Sequence, residues 1–147
     1  MAGINHSLYE GDFYAWAMEN ADLLRQKKFE EIDVENIAEE IESMGKSNKR
    51  ALLSHLAVLM VHLLKWKFQP VRRSKSWNLT IKHQRLQVQR LLEESPSLKY
   101  QIEIKLKEAY EEARIIAAGE TGIDEEDFPK ACPFTLEQCL DKAFLPE

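Results

Sequence analysis

Four side chains in the first half of the chain could support metal or acid–base chemistry: Glu39, Glu42, His55 and His62. Seven helical residues rise about 10.5 Å, so His55 and His62 cannot ligate one metal ion together. Zinc helices with the H-E-x-x-H motif and ferritin-like bundles with Glu-x-x-His motifs use spacings that do not occur here. An imidazole–carboxylate pair between His62 and Glu39 or Glu42 is therefore favoured over a metal site, and no metal or cofactor is predicted.

A basic and aromatic segment, KWKFQPVRRSKSW, runs from Lys65 to Trp77. Nucleic-acid sites combine cations that neutralise phosphates with aromatic faces that stack on bases. However, Trp66 and Trp77 also continue the apolar faces of two predicted helices, which indicates core positions. The segment contributes Lys65, Trp66, Gln69, Arg72, Arg73 and Trp77 to the candidate binding residues.

The charges are unevenly distributed along the chain, whose net charge is −5. No acid occurs from Ser43 to Leu92, where eleven Lys and Arg lie; the flanks hold nine bases and all 25 acids, a net of −16. The basic middle is expected to be neutralised mainly by the acidic flanks. The overall negative charge also opposes the approach of nucleic acid.

Arg50 and His55, in RALLSH, have the spacing of the R-x4-H element of HEPN-type ribonucleases, in which both residues act on the scissile phosphate. Ala51 stands where that element usually has a polar residue. An RNA-binding or HEPN-like ribonuclease activity is therefore kept as the alternative function.

These residues must be positioned by helices, because apolar residues recur every three or four positions and no strand-length alternation occurs. Asn20 and Gln84 interrupt two apolar stripes and need partners if buried. The predicted N-caps are Asp12, Asp33, Ser47, Ser76 and Ser95, with a capping box at Thr135 and Gln138. Predicted helix ends are Gly45, Pro70, and Gly119 or Gly122.

The expected architecture is all-α: a single-domain bundle over residues 1–147, with about five main helices and a short C-terminal helix. Residues 1–8 are predicted to be flexible and 120–147 to form an irregular tail containing the short helix. The apolar stretch Leu52–Leu64 is shorter than a membrane span and should form the central helix. Cys132 and Cys139 indicate reduced thiols, and no signal peptide is visible, so a cytoplasmic location without membrane contact is predicted.

The chain contains, in order, the segments DFYAWA, ENIAEEIESMG, HLLKWKFQP, SWNLTIKHQR, SPSL, EEARIIAAGETG and CPFTLEQ. This series resembles the bacterial family named domain of unknown function 29, from about Tyr9 to Pro146. The resemblance implies an all-helical domain and no known activity. It places the family's polar positions at Glu39, Glu42, His62, Lys65, Trp66, Gln69, Trp77, Gln84 and Arg85.

The preferred interpretation is a non-enzymatic binding module whose protein partner docks on the basic surface around Lys67, Arg72, Arg73 and Lys75. Glu39 or Glu42 is expected to pair with His62, or with Lys65 and Arg85, beside Trp66 and Trp77. Nucleic acid is a less favoured partner, and the sequence predicts no oligomeric state.

Overall fold

The computed structural model describes residues 8–147, and within this range the secondary structure is helical with no β-strand. The all-α class is confirmed. Residues 1–8 form the segment that is predicted to be flexible. Of these, residues 1–7 lie outside the part of the chain that the structure describes. The elements are α1 Phe13–Arg25, α2 Val34–Phe68, a 3-10 turn Pro70–Arg72, α3 Lys75–Glu94, α4 Leu98–Thr121, a 3-10 turn Glu125–Asp127 and α5 Leu136–Leu140.

The chain divides into two compact units, the first ending at Lys46 and the second covering Ser47–Glu147. The division falls inside α2, and each unit is described by itself. A single domain over the whole chain stays a prediction.

The predicted break between a second and a third helix at Gly45 and Ser47 is wrong, because α2 continues through both positions. A glycine ends a helix when it adopts the left-handed conformation, and Gly45 does not have a positive φ. A glycine inside a helix costs only about 1 kcal/mol relative to alanine, which the neighbouring turns can outweigh. Four long helices therefore replace the five expected.

The first unit is organised around Asp33, which precedes α2. Trp16 Nε1 donates to Asp33 Oδ2 at 2.9 Å, and the Asn36 side chain donates to the same oxygen at 2.7 Å. Asn20 is buried; its amide donates to the Trp16 carbonyl at 2.8 Å and its Oδ1 accepts from the Asp33 backbone N–H at 2.9 Å. The expected partner for Asn20 is thus found. Asp12 caps α1 as predicted, accepting from Ala15 N–H at 3.0 Å.

The core of the second unit is built on the leucine-rich half of α2, where Leu52, Leu56, Leu59, Leu63 and Leu64 are fully buried. Other elements add buried residues to the same cluster: Ile81, Val88, Ile102, Ala109, Tyr110, Ala113, Ala117, Phe128, Phe134 and Cys139. This half of α2 therefore forms the apolar centre that positions the polar residues at its margins.

Helix ends in the second unit follow the sequence signals with small shifts. Ser74 rather than Ser76 caps α3, accepting from Trp77 N–H, and α4 begins at Leu98 after Ser97 rather than after Ser95. Gly122 ends α4 with a φ of 78°, a conformation that favours glycine. The capping box of Thr135 and Gln138 is present at the start of α5. The last 26 residues are otherwise irregular, apart from the short turn Glu125–Asp127.

By length and composition α2 is apolar enough to cross a membrane, a criterion that core helices of soluble proteins also meet. Cys132 and Cys139 are free thiols.

Candidate functional site

The two histidines of α2 are half-buried and each has a partner within the second unit. His55 Nδ1 lies 2.7 Å from Gln84 Oε1 on α3. His62 Nδ1 lies 2.9 Å from the Val58 carbonyl one turn earlier in its own helix. Arg50 is exposed, and its side chain makes no hydrogen bond or ion pair to the described residues. These contacts explain both imidazoles as packing groups, and the ribonuclease interpretation stays a prediction.

The carboxylates Glu39 and Glu42 belong to the first unit and are exposed. Glu42 lies 3.9 Å from Lys46 in an exposed i,i+4 pair. Such a pair adds at most a few tenths of a kcal/mol. No group of three or more metal-ligating side chains occurs in residues 8–147. Within the second unit His62, Lys65 and Arg85 each have a partner, and the expected pairing of these residues with Glu39 or Glu42 stays a prediction.

Lys65 is held between a carboxylate and an aromatic ring. Its Nζ lies 2.6 Å from Glu120 Oε2 on α4 and 5.8 Å from the centre of the Trp77 ring on α3. The Lys65 side chain is only 13% exposed, so this contact joins three helices at the edge of the core. Neutralisation of the basic middle by an acidic flank is seen here.

Arg73 makes a second cation–aromatic contact. Its guanidinium lies 5.2 Å from the centre of the Trp66 ring, while Nε donates to the Trp66 carbonyl at 2.7 Å and Nη2 to the Pro146 carbonyl at 3.4 Å. Arg73 therefore fastens the C-terminal residues to the end of α2 instead of belonging to an open surface. Gln69, half-buried, precedes the 3-10 turn and its carbonyl accepts from Arg72 N–H at 2.9 Å.

Arg85 is the most buried charged residue of the described part, with 3% of its surface exposed. Nε donates to the Cys139 carbonyl at 2.8 Å; Nη2 donates to the carbonyls of Phe144 at 2.8 Å and Gln138 at 3.3 Å. Burial lowers the pKa of this guanidinium, and the carboxylate of Asp141 partly opposes the shift. The dipoles of these three carbonyl groups thus stabilise the buried Arg85 cation, for which the sequence predicts a carboxylate partner.

Most other bases of the acid-free stretch are exposed. Of the four bases predicted to form the docking surface, Lys67, Arg72 and Lys75 are exposed. Arg73 is half-buried and donates hydrogen bonds to backbone carbonyls. A second group lies along α3, where the exposed residues Lys75, Leu79, Lys82, His83, Leu86 and Arg90 fall on a helix face about 100° wide. We call these six residues the basic stripe.

The basic stripe is not among the residues predicted from sequence, because apolar periodicity indicates only the buried face of α3. Its signal was nevertheless present: within Lys75–Arg90 the positions opposite Ile81, Arg85 and Val88 carry cations and leucines but no acid. Cations and leucines that share one exposed helix face are therefore the sequence signal of the stripe.

Comparison of the chain with curated proteins and with solved structures gave no match. Residues 8–145 match the model of a family described as "Domain of unknown function DUF29". The matched range includes Arg85 with its three carbonyl partners and the basic stripe. The chain therefore belongs to the DUF29 family.

Proposed function

We propose that this protein is a non-enzymatic interaction module whose basic stripe binds an acidic amphipathic helix of a partner protein. The observation that carries the proposal is the pair of exposed leucines on α3: Leu79 is 53% exposed and Leu86 39% exposed, with Lys75, Lys82 and Arg90 around them. The two free thiols support a reducing, cytoplasmic setting.

The spacing of the two leucines suits a helical partner. Seven residues separate Leu79 from Leu86, which places them on one side of α3 about 10.5 Å apart. Helices recognise one another through apolar residues repeated at this interval, with charges flanking the seam. A partner helix with two apolar residues seven apart would bury both leucines together.

The charges of the basic stripe define the flanks of that partner. Lys75, Lys82 and Arg90 extend over four turns, and His83 adds a fourth basic group when protonated. None of these residues forms an ion pair with another residue of the described part, so their charges are available to carboxylates of a second chain. Complementary charges of this kind mainly accelerate association and select the partner.

A protein helix fits the basic stripe better than nucleic acid does. The stripe contains no Phe, Tyr or Trp, and Trp77 nearby is half-buried and in contact with Lys65, so the stripe offers bases no large aromatic face for stacking. The net charge of −5 opposes a long polyanion, while a short acidic helix meets mainly the local positive field.

Charge reversal tests the proposal with a designed acidic amphipathic peptide that carries two leucines seven residues apart. The variant Lys75→Glu/Lys82→Glu/Arg90→Glu should bind the peptide at least about tenfold more weakly than wild type, a loss of roughly 1.4 kcal/mol. Fluorescence anisotropy at two salt concentrations measures the affinity, which should fall with salt for the wild type.

A matched control changes the net charge equally with exposed bases outside the basic stripe: Lys28→Glu/Lys107→Glu/Lys130→Glu. This control should keep affinity within about threefold of wild type, because its charges lie off the docking face. An equal loss of peptide affinity in both variants would show that net charge, and not the basic stripe, causes the binding, and would contradict the proposal. Tight binding of a single-stranded oligonucleotide, with no binding of the peptide, would contradict a protein partner.

A further inference from the structure

A pocket of about 400 Å³ lies beside the C-terminal segment, away from the leucines of the basic stripe. Arg85, Leu92 and Glu93 of α3 form one wall, Lys99 of α4 a second, and Leu140 with Lys142 a third. All of these residues belong to the second unit. The pocket thus combines three cations, one carboxylate and two leucines.

Arg85 lines this pocket, and one of its guanidinium nitrogens, Nη1, has no partner among the described residues. The carbonyls of Cys139, Gln138 and Phe144 occupy Nε and Nη2, and no hydrogen bond from Nη1 to the described residues is present. No fully buried side-chain nitrogen or oxygen in the described residues lacks a partner, so Nη1 retains access to solvent. Arg85 is 97% buried and lines the pocket, which is consistent with access to Nη1 through the pocket.

The three carbonyl contacts give Nη1 a fixed direction before any ligand arrives. A guanidinium held by its other nitrogens loses little conformational freedom on binding an anion. Arginine donates charge-assisted hydrogen bonds to carboxylate and phosphate oxygens, and such bonds strengthen where water is partly excluded. Arg85 is therefore preorganised as an anion donor.

The other charged residues leave the pocket positive. Lys99 and Lys142 are exposed at its rim, while the carboxylate of Glu93 accepts a hydrogen bond from Gln89 Nε2 at 3.3 Å. The net charge of the lining is +2. Leu92 and Leu140 supply apolar surface next to these cations, so the pocket suits a molecule with an anionic head and an apolar body.

We propose that this pocket binds a small amphiphilic anion, with a carboxylate or phosphate head on Arg85 Nη1 and the two lysines and its apolar part against Leu92 and Leu140. The site is separate from the basic stripe and does not depend on the proposed partner helix. A bound anion would also contact the C-terminal segment through Leu140 and Lys142, and so would stabilise its docking.

Titration of the purified full chain with inorganic phosphate and with octanoate tests the site. Amide NMR and calorimetry should show saturable binding of at least one probe, with a dissociation constant of about 0.1–1 mM for so small a ligand. Octanoate alone would assign a carboxylate head with its chain on the leucines; phosphate alone would assign a phosphate head. Both of these outcomes support an anion site.

Rim variants separate a built site from general attraction. Lys99→Gln/Lys142→Gln should weaken binding about tenfold or more, because both exposed side chains can be changed without entering the core. Lys107→Gln/Lys130→Gln, which changes the net charge equally outside this pocket, should stay within about twofold of wild type. Absence of saturable binding of either probe, or equal binding by the rim variant, would overturn the proposal.

Discussion

The Nδ1 atom of His55 lies 2.7 Å from the Oε1 atom of Gln84, a contact that joins α2 to α3. An amide oxygen only accepts hydrogen bonds, so in this contact Nδ1–H of His55 donates to Gln84. Gln84 interrupts the apolar stripe of α3, and this contact provides the partner that its position requires. His55 is thereby fixed as a link between two helices of the second unit.

Replacing Gln84 tests this link. Gln84→Leu should lower the free energy of unfolding by about 1 kcal/mol, because the half-buried His55 loses its partner while the packing volume is nearly kept. Urea unfolding followed by circular dichroism measures the change. Gln89→Leu, at an exposed position of the same helix, should shift the free energy of unfolding by no more than about 0.5 kcal/mol. Equal effects of the two substitutions would contradict the account.

The buried amide of Asn20 is predicted to hold the first unit together. Asn20→Leu should lower the free energy of unfolding by about 2–3 kcal/mol, because the Asp33 N–H and the Trp16 carbonyl both lose their contact with the Asn20 side chain. Hydrogen exchange should accelerate in residues 8–46, whereas Glu19→Gln, at an exposed position of the same helix, should leave exchange unchanged. Undisturbed exchange in Asn20→Leu would show that these bonds do not stabilise the unit.

Arg85 is predicted to anchor the C-terminal segment. Arg85→Met removes the donors of three carbonyls and should lower the free energy of unfolding by about 3 kcal/mol. Trypsin should then cleave at Lys142 faster than in wild type. Arg90→Met, exposed on the same helix, provides the comparison. Wild-type cleavage rates in Arg85→Met would place the anchor elsewhere.

Stability should fall in alkaline solution because of two buried acids. Burial raises the pKa of Cys139 from 9.0 to about 12 and the pKa of Tyr110 from 10.0 to about 12. Both groups favour the protonated state more in the native than in the unfolded chain, so their contribution is complete below pH 9. It is lost as the pH rises from about 9 to 12.

Thermal unfolding at several pH values under reducing conditions measures this loss. Cys139→Ala should be less stable at pH 7 because it leaves a cavity, but its stability should decline less steeply above pH 9 than that of wild type. Identical slopes for the two proteins would show that the thiol does not titrate as described.

The sequence predicted much of the fold because several signals are local. Asp12, Gly122 and the pair Thr135 and Gln138 act on backbone groups within a few residues, so their roles follow from sequence alone. The helix end predicted at Gly45 was wrong because a glycine inside a helix and a glycine that ends one differ only in backbone conformation, which the surrounding structure decides.

The candidate site was harder to predict because its contacts are distant in sequence. Arg85 binds carbonyls 53 to 59 residues away, and backbone acceptors leave no mark in side-chain identity. Lys65 finds Glu120 through the packing of α2 against α4, which periodicity does not determine. The sequence therefore indicates that Asn20 and Gln84 need partners if buried. Which residues serve as those partners is known only from the structure.

The most direct test of the central claim is a map of where an acidic amphipathic helix binds. Amide NMR of the full chain, titrated with the designed peptide, should place the largest shifts on Lys75–Arg90, centred on Leu79 and Leu86. Leu79→Ser/Leu86→Ser should weaken binding of the peptide about tenfold, since both side chains are exposed and neither belongs to the buried core cluster. Shifts concentrated away from this helix, or a titration that the double substitution leaves unchanged, would contradict the basic stripe as the binding surface.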